Sequence, residues 1–372
     1  MRIVQIISGV GVNGAIMHSL LLTRQLAKDG HFVMLICREG SWISQQFSDC
    51  ENVEVVESSM NRWPFNEIKR VSNLLISRKM EVIQTHMSRA HNFGIALKYA
   101  SGIPTVVTAH SHKVHPHFML ASHIIAVSKL TERYHRIHNL VSRNRITTVH
   151  GFVDLDRFSN MNADCRELIR ESLGIAGDQL LVGVVGDFLP RKGQDILLKA
   201  IPEISREVPN VMFAFAGSVR KEDYFDSLKR DAKSLGIENS ILWLGYRDDV
   251  PKLLQALDVY VLPSKDEMFP VALLEAMASY RACVASRAGG IPECDPEGTS
   301  LKLVEPSKPA SLASAIVTLL RDSRARLKSG EAAHAAILKH FNVEHQARKV
   351  QSVLSKVATM HNSPHTLREQ VR

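Results

Sequence analysis

Two glutamates in the second half of the chain could bind a hydroxyl-bearing ligand. The segment VLPSKDEMFPVALLEAMA places Glu267 in a loop after a strand-like run, and Glu275 in the second turn of a helix that Pro270 is well placed to open. The backbone N–H groups between Met268 and Val271 then point outward at a helix N-terminus, where anions bind. Two solvated helix charges are the commoner explanation of this spacing alone.

A glycine-rich loop near the N-terminus could hold a phosphate-bearing ligand. SGVGVNGAIMHSL contains the pattern G-x-G-x-x-G between a strand-like and a helix-like run, and glycine lets a ligand approach the backbone closely. In a nicotinamide enzyme the next strand should end in Asp or Glu, but here it ends in Cys37 and Arg38. Arg38 would suit a 2′-phosphate, so an NADP-dependent oxidoreductase stays open. A tight turn that needs glycine for its geometry is the other explanation of Gly9, Gly11 and Gly14.

Histidines follow two of the predicted strands. His86 ends the run VIQTH, and the segment TAHSHKVHPH contains His110, His112, His115 and His117. The spacing His-x-His can bind zinc, but no cysteine or carboxylate lies nearby in the sequence to complete a site. We therefore favour a pH-sensitive or ligand-binding loop over a metal site. A histidine that only caps a strand end is the alternative.

Strands and helices alternate from one end of the chain to the other. The first half contains seven strand-like runs: RIVQII, FVMLIC, VEVV, VIQTH, TVVTAH, HIIAVS and ITTVH. A second series starts near residue 180: LLVGVVG, MFAFAG, ILWLG, VYVLPS, ACVAS and LKLVEP. Apolar strands separated by helices indicate parallel sheets covered on both faces. The predicted fold class is α/β, with two Rossmann-like doubly wound domains facing a cleft, and ligands are expected at the carboxyl ends of the strands.

Composition shifts predict where the two domains meet. The polar stretch SNMNADCRE, residues 159–167, is the expected linker. It divides an N-terminal domain at 1–160 from a C-terminal domain at 161–342. A final helix at 343–358 is expected to pack back towards the N-terminal domain, and a polar tail at 359–372 is expected to be disordered.

The composition is that of an ordinary globular protein and limits the possible partners. The 372 residues are 45% hydrophobic and 23% charged, and no apolar stretch approaches the roughly 20 residues that span a bilayer. Five scattered cysteines without a C-x-x-C motif favour a reducing, cytoplasmic compartment. A net charge of +8 could attract nucleic acid, anionic lipid or phosphorylated small molecules. Because the basic residues are dispersed along the sequence, we expect no nucleic-acid partner, and peripheral contact with the inner membrane stays open.

Several motifs in the same order resemble the retaining glycosyltransferases of the GT-B fold, specifically family 4, the glycosyl transferases group 1. That family carries two glutamates separated by seven residues, in a setting like the one around Glu267 and Glu275. Four further segments resemble its phosphate loop, the approach to its donor site, its hinge and the loop after the following strand: GVVGDFLPRKGQDILLKA, LGYRDDVPKLLQALDVYVLPS, HGFVDLDRF and GGIPE. The resemblance covers nearly the whole chain.

The resemblance implies sugar transfer, with retention, from a nucleoside-diphosphate sugar to a hydroxyl acceptor. The pathway would be cell-surface glycan or glycolipid synthesis, such as that of polysaccharide or lipopolysaccharide. The N-terminal domain would bind the acceptor, and the C-terminal domain would bind the donor. Lys192 and helix N-terminal amides would stabilise the leaving diphosphate, so no metal and no other cofactor are expected.

The resemblance also assigns roles to individual residues. The expected catalytic residues are His110, which would reach the donor sugar, Glu267 and Lys192. His86 and His112 would face the acceptor. The expected donor-binding residues are Gly11, Gly14, Arg191, Lys192, Met268, Phe269, Pro270, Val271 and Glu275, the last on the ribose hydroxyls.

One position departs from the family motif in a way that bears on activity. The family usually has an arginine where this chain has Asp187, while Lys192 keeps the second basic position. An anion beside a diphosphate would repel it by at least about 1 kcal/mol, and the adjacent Arg191 could compensate. Asp187 therefore supports the alternative of a sugar-nucleotide-binding protein with weak or no catalysis. Met268 and Tyr280 also replace glycines of the family pattern.

Overall fold

The chain folds into two compact units. They are seen in a computed structural model that describes residues 1–60, 65–159 and 163–362. The first unit contains residues 1–152 and the segment that starts at Val343, and the second contains Val153–Asn342.

The first unit is built on a sheet of seven parallel strands. The strands are β1 Arg2–Ile7, β2 Phe32–Arg38, β3 Val53–Ser58, β4 Val82–His86, β5 Thr105–Ala109, β6 His123–Ala126 and β7 Ile146–Thr148. Their order in the sheet is β3-β2-β1-β4-β5-β6-β7. All seven lie where the apolar runs predict them, and the direction reverses beside β1, which is the usual place for a ligand in a doubly wound sheet.

Helices connect the strands of the first unit. They are α1 Gly14–Lys28, α2 Phe65–Ser77, α3 Ser88–Ser101, α4 Pro116–Leu120 and α5 Lys129–His138. The start of α1 is fixed by Asn13, whose side-chain oxygen accepts hydrogen bonds from the N–H groups of Ala15 at 3.0 Å and Ile16 at 3.2 Å. The glycine loop therefore ends at a well-capped helix.

The second unit repeats this architecture with six parallel strands. The strands are β8 Leu180–Val185, β9 Val211–Ala216, β10 Ile241–Gly245, β11 Val259–Leu262, β12 Ala282–Ser286 and β13 Lys302–Val304. Their order is β10-β9-β8-β11-β12-β13. The helices are α6 Asp156–Ser159, α7 Ala163–Ser172, α8 Gln194–Glu207, α9 Glu222–Ser234, α10 Val250–Ala256, α11 Val271–Ala278, α12 Pro309–Arg321 and α13 Ser323–Ala336. The predicted α/β fold class is confirmed in both units.

The division between the units falls at Phe152, before the boundary at 160 that the composition predicts. Phe152 is buried in the core of the first unit, whereas the N–H of Val153 donates to the carbonyl of Phe341 at 3.0 Å in the second. Part of the predicted linker at 159–167 is helical, because α7 begins at Ala163. The middle of that linker, residues 160–162, lies outside the described part of the chain.

The last helix, α14 Val343–Asn362, belongs to the first unit. Its apolar residues recur at helical spacing and are buried in the same core as β1 and α1: Ala347, Val350, Val353, Leu354, Val357 and Ala358. The helix runs to Asn362, so the start of the tail predicted at 359–372 is helical. The remainder of that tail, from 363 onward, is not among the described residues.

Candidate functional site

Glu267 is the centre of a buried ion cluster in the second unit. It lies in the loop between β11 and α11, with 5% of its surface exposed. Its carboxylate accepts hydrogen bonds from Lys192 Nζ at 2.5 Å, Ser264 Oγ at 3.0 Å and Arg191 Nη1 at 3.3 Å. A buried carboxylate needs such partners, because desolvating an unpaired charge is very costly. The structure thus brings together three of the residues predicted from the sequence.

Two glycines allow the backbone segments around this cluster to approach closely. Gly193 has φ +69°, and a Cβ there would lie 2.0 Å from the carbonyl oxygen of Pro263. Gly289 has φ +54°, and a Cβ there would lie 2.1 Å from the carbonyl oxygen of Glu267. Gly290 N–H donates to that same oxygen at 2.7 Å. Only glycine satisfies both the backbone angle and the space at these two positions, so the motifs PRKG and GGIPE hold the Glu267 loop between them.

The start of α11 presents backbone donors beside the cluster. The helix begins at Val271, and Pro270 is the residue before its first turn rather than the first helical residue that the sequence suggests. Within the described chain, the N–H groups of Met268 and Val271 donate to no protein acceptor. Unsatisfied donors at a helix N-terminus favour an anion. Phe269 is buried and packs against Phe341, with ring centroids 5.7 Å apart.

Glu275 lies one turn further along α11 and is half-buried. Burial raises the pKa of its carboxyl to about 7, and the positive charge of Arg157 in α6 opposes this rise. At neutral pH this side chain can therefore either accept or donate a hydrogen bond. Glu267 and Glu275 thus differ in character, since the first is held in an ion pair and the second lies near its titration midpoint.

Asp187 follows β8 and is paired with an arginine from the neighbouring strand's loop. Its Oδ2 accepts a hydrogen bond from Arg220 Nε at 3.1 Å. The loops after β8 and β9 stay side by side because Phe188 N–H donates to Ser218 O at 2.9 Å, with a bridge between Phe188 and Val219. Asp187 is therefore not an isolated anion, and Arg220 adds a cation at the carboxyl ends of these strands.

Lys192 reaches the same end of β8. Its side chain passes over Gly186, where a Cβ would lie 3.6 Å from Lys192 Cε. Gly186 is followed directly by Asp187, so the side chains of Lys192 and Arg220 both lie at the carboxyl end of β8. Arg220 was not predicted. Its only sequence signal is a basic residue shortly after the strand-like run MFAFAG.

A cluster of three buried histidines lies in the first unit. His86 ends β4 and donates from Nε2 to Gln5 Oε1 at 2.9 Å, while its Nδ1 lies 3.2 Å from His110 Nε2. His18 of α1 completes the cluster, with its ring centroid 5.0 Å from that of His110. Burial lowers the pKa of His110 to about 4, and it lowers the pKa values of His18 and His86 well below the ordinary value. The three imidazoles are therefore neutral at pH 7.

The buried histidine cluster has the ligand types and spacing of a possible metal site. One ring nitrogen from each residue lies within 4.8 Å of the others, and among the described residues the buried His18 Nε2 has no hydrogen-bond partner. Neutral imidazole is a common ligand of zinc and related ions. His18 was missed from the sequence, although it interrupts an apolar stripe with Leu22 and Leu26 at four-residue spacing.

The other predicted residues of the first unit lie in different settings. His112 stacks on Tyr134 with ring centroids 4.5 Å apart and lies 3.2 Å from Thr131 Oγ1. The structure thus places His86 with His110, but gives His112 separate partners. Gly11 is exposed, with no atom within 4 Å of an added Cβ, and Gly14 is the first residue of α1.

Two protein-family models match the chain. The model of the glycosyl transferases group 1 matches residues 166–336, and the model of Glycosyltransferase Family 4 matches residues 12–157. Together the two matches span most of both units.

Curated relatives are similar to the chain over different lengths. An uncharacterised glycosyltransferase of Methanocaldococcus jannaschii is 26% identical over 345 residues, which is 84% of this chain and 86% of that protein. A D-inositol 3-phosphate glycosyltransferase of Mycolicibacterium smegmatis is 33% identical over 204 residues, which is 54% of this chain and 45% of that enzyme. The alignment with the characterised enzyme thus spans less than half of its length.

Solved structures share the fold across nearly the whole chain. Anabaena Alr3699/HepE, in complex with UDP and glucose, has a TM-score of 0.82 and 21% identity and covers 95% of this chain and 99% of its own. WaaG, a glycosyltransferase involved in lipopolysaccharide biosynthesis, has a TM-score of 0.71 and 16% identity and covers 94% and 99%. These likenesses show a shared fold with two Rossmann-like units.

Proposed function

This chain belongs to the family 4 glycosyltransferases of the GT-B fold, the glycosyl transferases group 1, and we propose that its second unit binds the nucleoside-diphosphate sugar through the Glu267 cluster. The family transfers sugar from a nucleotide sugar with retention. Membership gives no support to the NADP-dependent oxidoreductase that the glycine loop left open.

The observation that carries this proposal is the pairing of Glu267 with Lys192 and Arg191. Negative charge develops on the diphosphate as the bond between the sugar carbon and the phosphate oxygen breaks. Preorganised cations stabilise that charge most effectively in a site with little water. Glu267 holds the ammonium of Lys192 for this purpose, and the remaining lone pair of its Oε2 is proposed to accept a hydrogen bond from a sugar hydroxyl.

Arg220 and the start of α11 supply the remaining positive potential. The guanidinium of Arg220 takes the place of the arginine that the family motif has at position 187, and Asp187 holds it there at 3.1 Å. The free N–H groups of Met268 and Val271 add donors for phosphate or sugar oxygens. Glu275 accepts a hydrogen bond from the ribose hydroxyls. With these cations and donors in place, we expect no metal ion and no further cofactor to be required.

Front-face transfer is the chemistry that this cluster suits. The acceptor oxygen bonds to the sugar carbon on the face that the phosphate leaves, so the configuration is retained, and the acceptor proton passes to the departing phosphate oxygen. Glu267 is bound to two cations and serves poorly as a covalent nucleophile, since ion pairing lowers the energy of the carboxylate.

His110 is proposed to contact the transferred sugar as a neutral hydrogen-bonding group. Its pKa of about 4 keeps it uncharged, and its contact with His86 fixes the orientation of its ring. His86 and His112 stay assigned to the acceptor side, and Gly11 and Gly14 to the donor diphosphate, as proposals from the family motif.

The acceptor is proposed only as a hydroxyl compound of cell-surface glycan or glycolipid synthesis. The characterised relatives are named for different acceptors, including D-inositol 3-phosphate, phosphatidylinositol monomannoside and malate. These names therefore point to no single acceptor for this chain. Among the described residues no helix is long and apolar enough to cross a bilayer. The scattered cysteines support a cytoplasmic location.

A thermal-shift screen against UDP-, GDP- and ADP-sugars tests the donor site. A ligand that binds the native state raises the unfolding temperature by mass action, so one of these series should stabilise the protein. With the donor so identified, Glu275→Ala should mainly raise the donor KM and Glu267→Ala should mainly lower kcat. Glu331→Ala, an exposed change on α13, is the matched control. Equal activity of both site variants and the control would contradict the assignment.

Chelation tests the metal-free scheme. Turnover should be unchanged in EDTA, because the cations of three side chains carry the charge of the leaving group. Loss of turnover that Mg²⁺ or Mn²⁺ restores would contradict this part of the proposal. Donor binding without any transfer to a panel of acceptors would favour a sugar-nucleotide-binding protein instead.

A further inference from the structure

The histidine cluster of the first unit, formed by His18, His86 and His110, has ring positions that suit a single metal ion. The centroids of its three rings lie 5.0, 5.5 and 5.6 Å apart. A tetrahedral zinc ion binds imidazole nitrogens at about 2.0–2.1 Å, which places the centroids of the bound rings roughly 5 Å apart. The three rings are therefore already spaced as ligands of one ion.

The contact between His86 and His110 has the length that two zinc ligands need. His86 Nδ1 lies 3.2 Å from His110 Nε2, and two nitrogens bound to one tetrahedral zinc ion lie about 3.4 Å apart. One ring nitrogen of His18 lies within 4.8 Å of the ligand atoms of both other residues. A small movement of the His18 ring therefore completes a set of three ligands.

His18 adds an independent observation. Only 5% of its surface is exposed, and among the described residues its Nε2 has no hydrogen-bond partner. A buried polar atom without a partner is destabilising and calls for an explanation. Phe152 packs against the ring with centroids 4.3 Å apart, so the imidazole is held among its neighbours rather than in water. A metal ion in the cluster would satisfy this nitrogen.

A chain of buried hydrogen bonds determines which nitrogen of His86 faces the cluster. Gln84 Nε2 donates to Thr108 Oγ1 at 2.8 Å, and Gln5 Nε2 donates to Gln84 Oε1 at 2.8 Å. Gln5 Oε1 therefore accepts from His86 Nε2, at 2.9 Å, and the lone pair of the His86 ring lies on Nδ1, towards His110. Metal-binding histidines typically donate their second ring N–H to an outer partner of this kind.

We propose that this histidine cluster binds one zinc ion, or a related ion such as Co²⁺, through His18, His86 and His110. Imidazole nitrogen suits such ions, whereas Mg²⁺ and Ca²⁺ prefer oxygen ligands. Within the described chain the group contains only histidines, and three protein ligands leave the fourth position of a tetrahedral ion to water or an anion. To bind the ion through Nε2, His110 moves its ring proton to Nδ1, so the ring stays neutral.

The three ligands come from three elements rather than from one motif. His18 lies on α1, His86 ends β4, and His110 directly follows β5. His112, the other half of the His-x-His pair, stacks on Tyr134 instead. Spacing within the histidine-rich segment therefore could not indicate this set of ligands.

The consequence for activity rests on the proposed function, which places His110 against the transferred sugar as a neutral hydrogen-bonding group. An ion on this ring occupies one of its two nitrogens and adds positive charge beside the sugar. Zinc should therefore inhibit the transfer. This agrees with a reaction that needs no metal, because the ion is an inhibitor rather than a cofactor.

Zinc binding to the full chain, measured without donor or acceptor, tests the site. Competition with a chromophoric chelator should show one tightly bound Zn²⁺ per chain, and Co²⁺ in its place should give the visible absorption of a four-coordinate ion. His18→Leu should weaken the affinity for Zn²⁺ roughly a hundredfold or more, because it removes one of three ligands. His112→Gln is the matched control, since it changes a nearby histidine outside the cluster, and it should bind Zn²⁺ like wild type.

Gln5→Leu is a second variant, which leaves all three ligands in place. It removes the acceptor of His86 Nε2, so the affinity for Zn²⁺ should fall roughly 10- to 100-fold. The unfolding temperature of each metal-free variant shows whether it is folded. Added Zn²⁺ should raise that temperature in the wild type and in His112→Gln, but much less in His18→Leu.

Three results would overturn the site: no stoichiometric Zn²⁺ bound by the wild type, equal affinity in the wild type and His18→Leu, or loss of binding in His112→Gln. The activity assay is separate. Zinc should slow transfer by the wild type, EDTA should restore the rate, and His18→Leu should respond far less relative to its own metal-free rate. Zinc binding without inhibition would overturn only the consequence at His110. A chain that binds zinc but transfers no sugar would contradict the proposed function and leave the metal site in place.

Discussion

We propose that Arg220 takes over the role of the arginine that the family motif has at position 187. The family motif has an arginine directly after β8, whereas this chain has Asp187 there, paired with Arg220 from the loop after β9. The adjacent loops make the exchange possible, because parallel strands β8 and β9 end side by side. Asp187 alone suggested weak or absent catalysis, and the proposed role of Arg220 is the alternative to that inference.

Arg220→Ala should weaken binding of the nucleoside diphosphate about tenfold, since a hydrogen bond to a charged group contributes more than a neutral one. Adding Asp187→Arg to that variant should restore affinity by returning the cation to its usual position. Arg230→Ala, an exposed change on α9, is the control. Calorimetric titration measures all three, and wild-type affinity in Arg220→Ala would show that Arg220 does not contact the donor.

Glu275 should make donor binding depend on pH. Its raised pKa of about 7 means that the carboxyl is mostly protonated at pH 6 and mostly ionised at pH 8. The ionised form accepts hydrogen bonds from ribose hydroxyls, so the donor dissociation constant should fall roughly tenfold between these values. Glu275→Gln should remove this dependence. A flat profile in the wild-type protein would mean that protonation of Glu275 does not matter for binding.

At the scale of elements, the positions of the strands could be predicted from the sequence, whereas the contacts between distant elements could not. Runs such as RIVQII and ACVAS are buried on both faces, which is the pattern that sequence displays most clearly. Segment 163–167 looked like linker because its residues are polar. It is helical because Arg166 and Arg170 donate to distant carbonyls and pair with Asp258, contacts that no local pattern reveals.

The same limit applies to the candidate site. The glutamate pair and Lys192 were proposed as site residues because their motifs resemble those of the family, whereas the spacing of the glutamates alone favoured two solvated charges. Arg220 beside Asp187 in the second unit and His18 in the histidine cluster of the first unit were missed, because each comes from an element distant in sequence from its partners. The histidine cluster is a further case, since the segment rich in histidine contributes only His110 to it.

Gly193 lets the loop that carries Lys192 lie directly against the carbonyl of Pro263. Its replacement should therefore reduce both activity and stability. Gly193→Ala would bring a Cβ to 2.0 Å from the carbonyl of Pro263 at a positive φ. The Lys192 and Glu267 loops would have to separate, so kcat should fall and the unfolding temperature should drop together. Gly236→Ala has a similar φ of +66° but open space around it, so it isolates the backbone cost. Equal effects of the two changes would show that the close contact is unimportant.

At the scale of the whole molecule, the first unit is built from two separate segments of the chain. The chain leaves this unit after Phe152, builds the second unit, and returns at Val343 to lay α14 against the core that contains β1 and α1. The first unit is therefore completed by residues that follow the second unit in the sequence. Its stability should depend on contacts that join the two ends of the chain.

Leu354→Ala tests this dependence. The side chain is fully buried among residues of the first unit, and removing it should lower the free energy of unfolding by about 2–5 kcal/mol, because a cavity remains where the leucine packed. Met360→Ala on the same helix removes a side chain that is 63% exposed and should have little effect. Urea unfolding of Leu354→Ala, followed by spectroscopic probes in each unit, should show that the first unit unfolds at a lower urea concentration than the second. A wild-type midpoint for Leu354→Ala would mean that the unit is stable without α14, and the return of the chain would then serve only to tether the second unit.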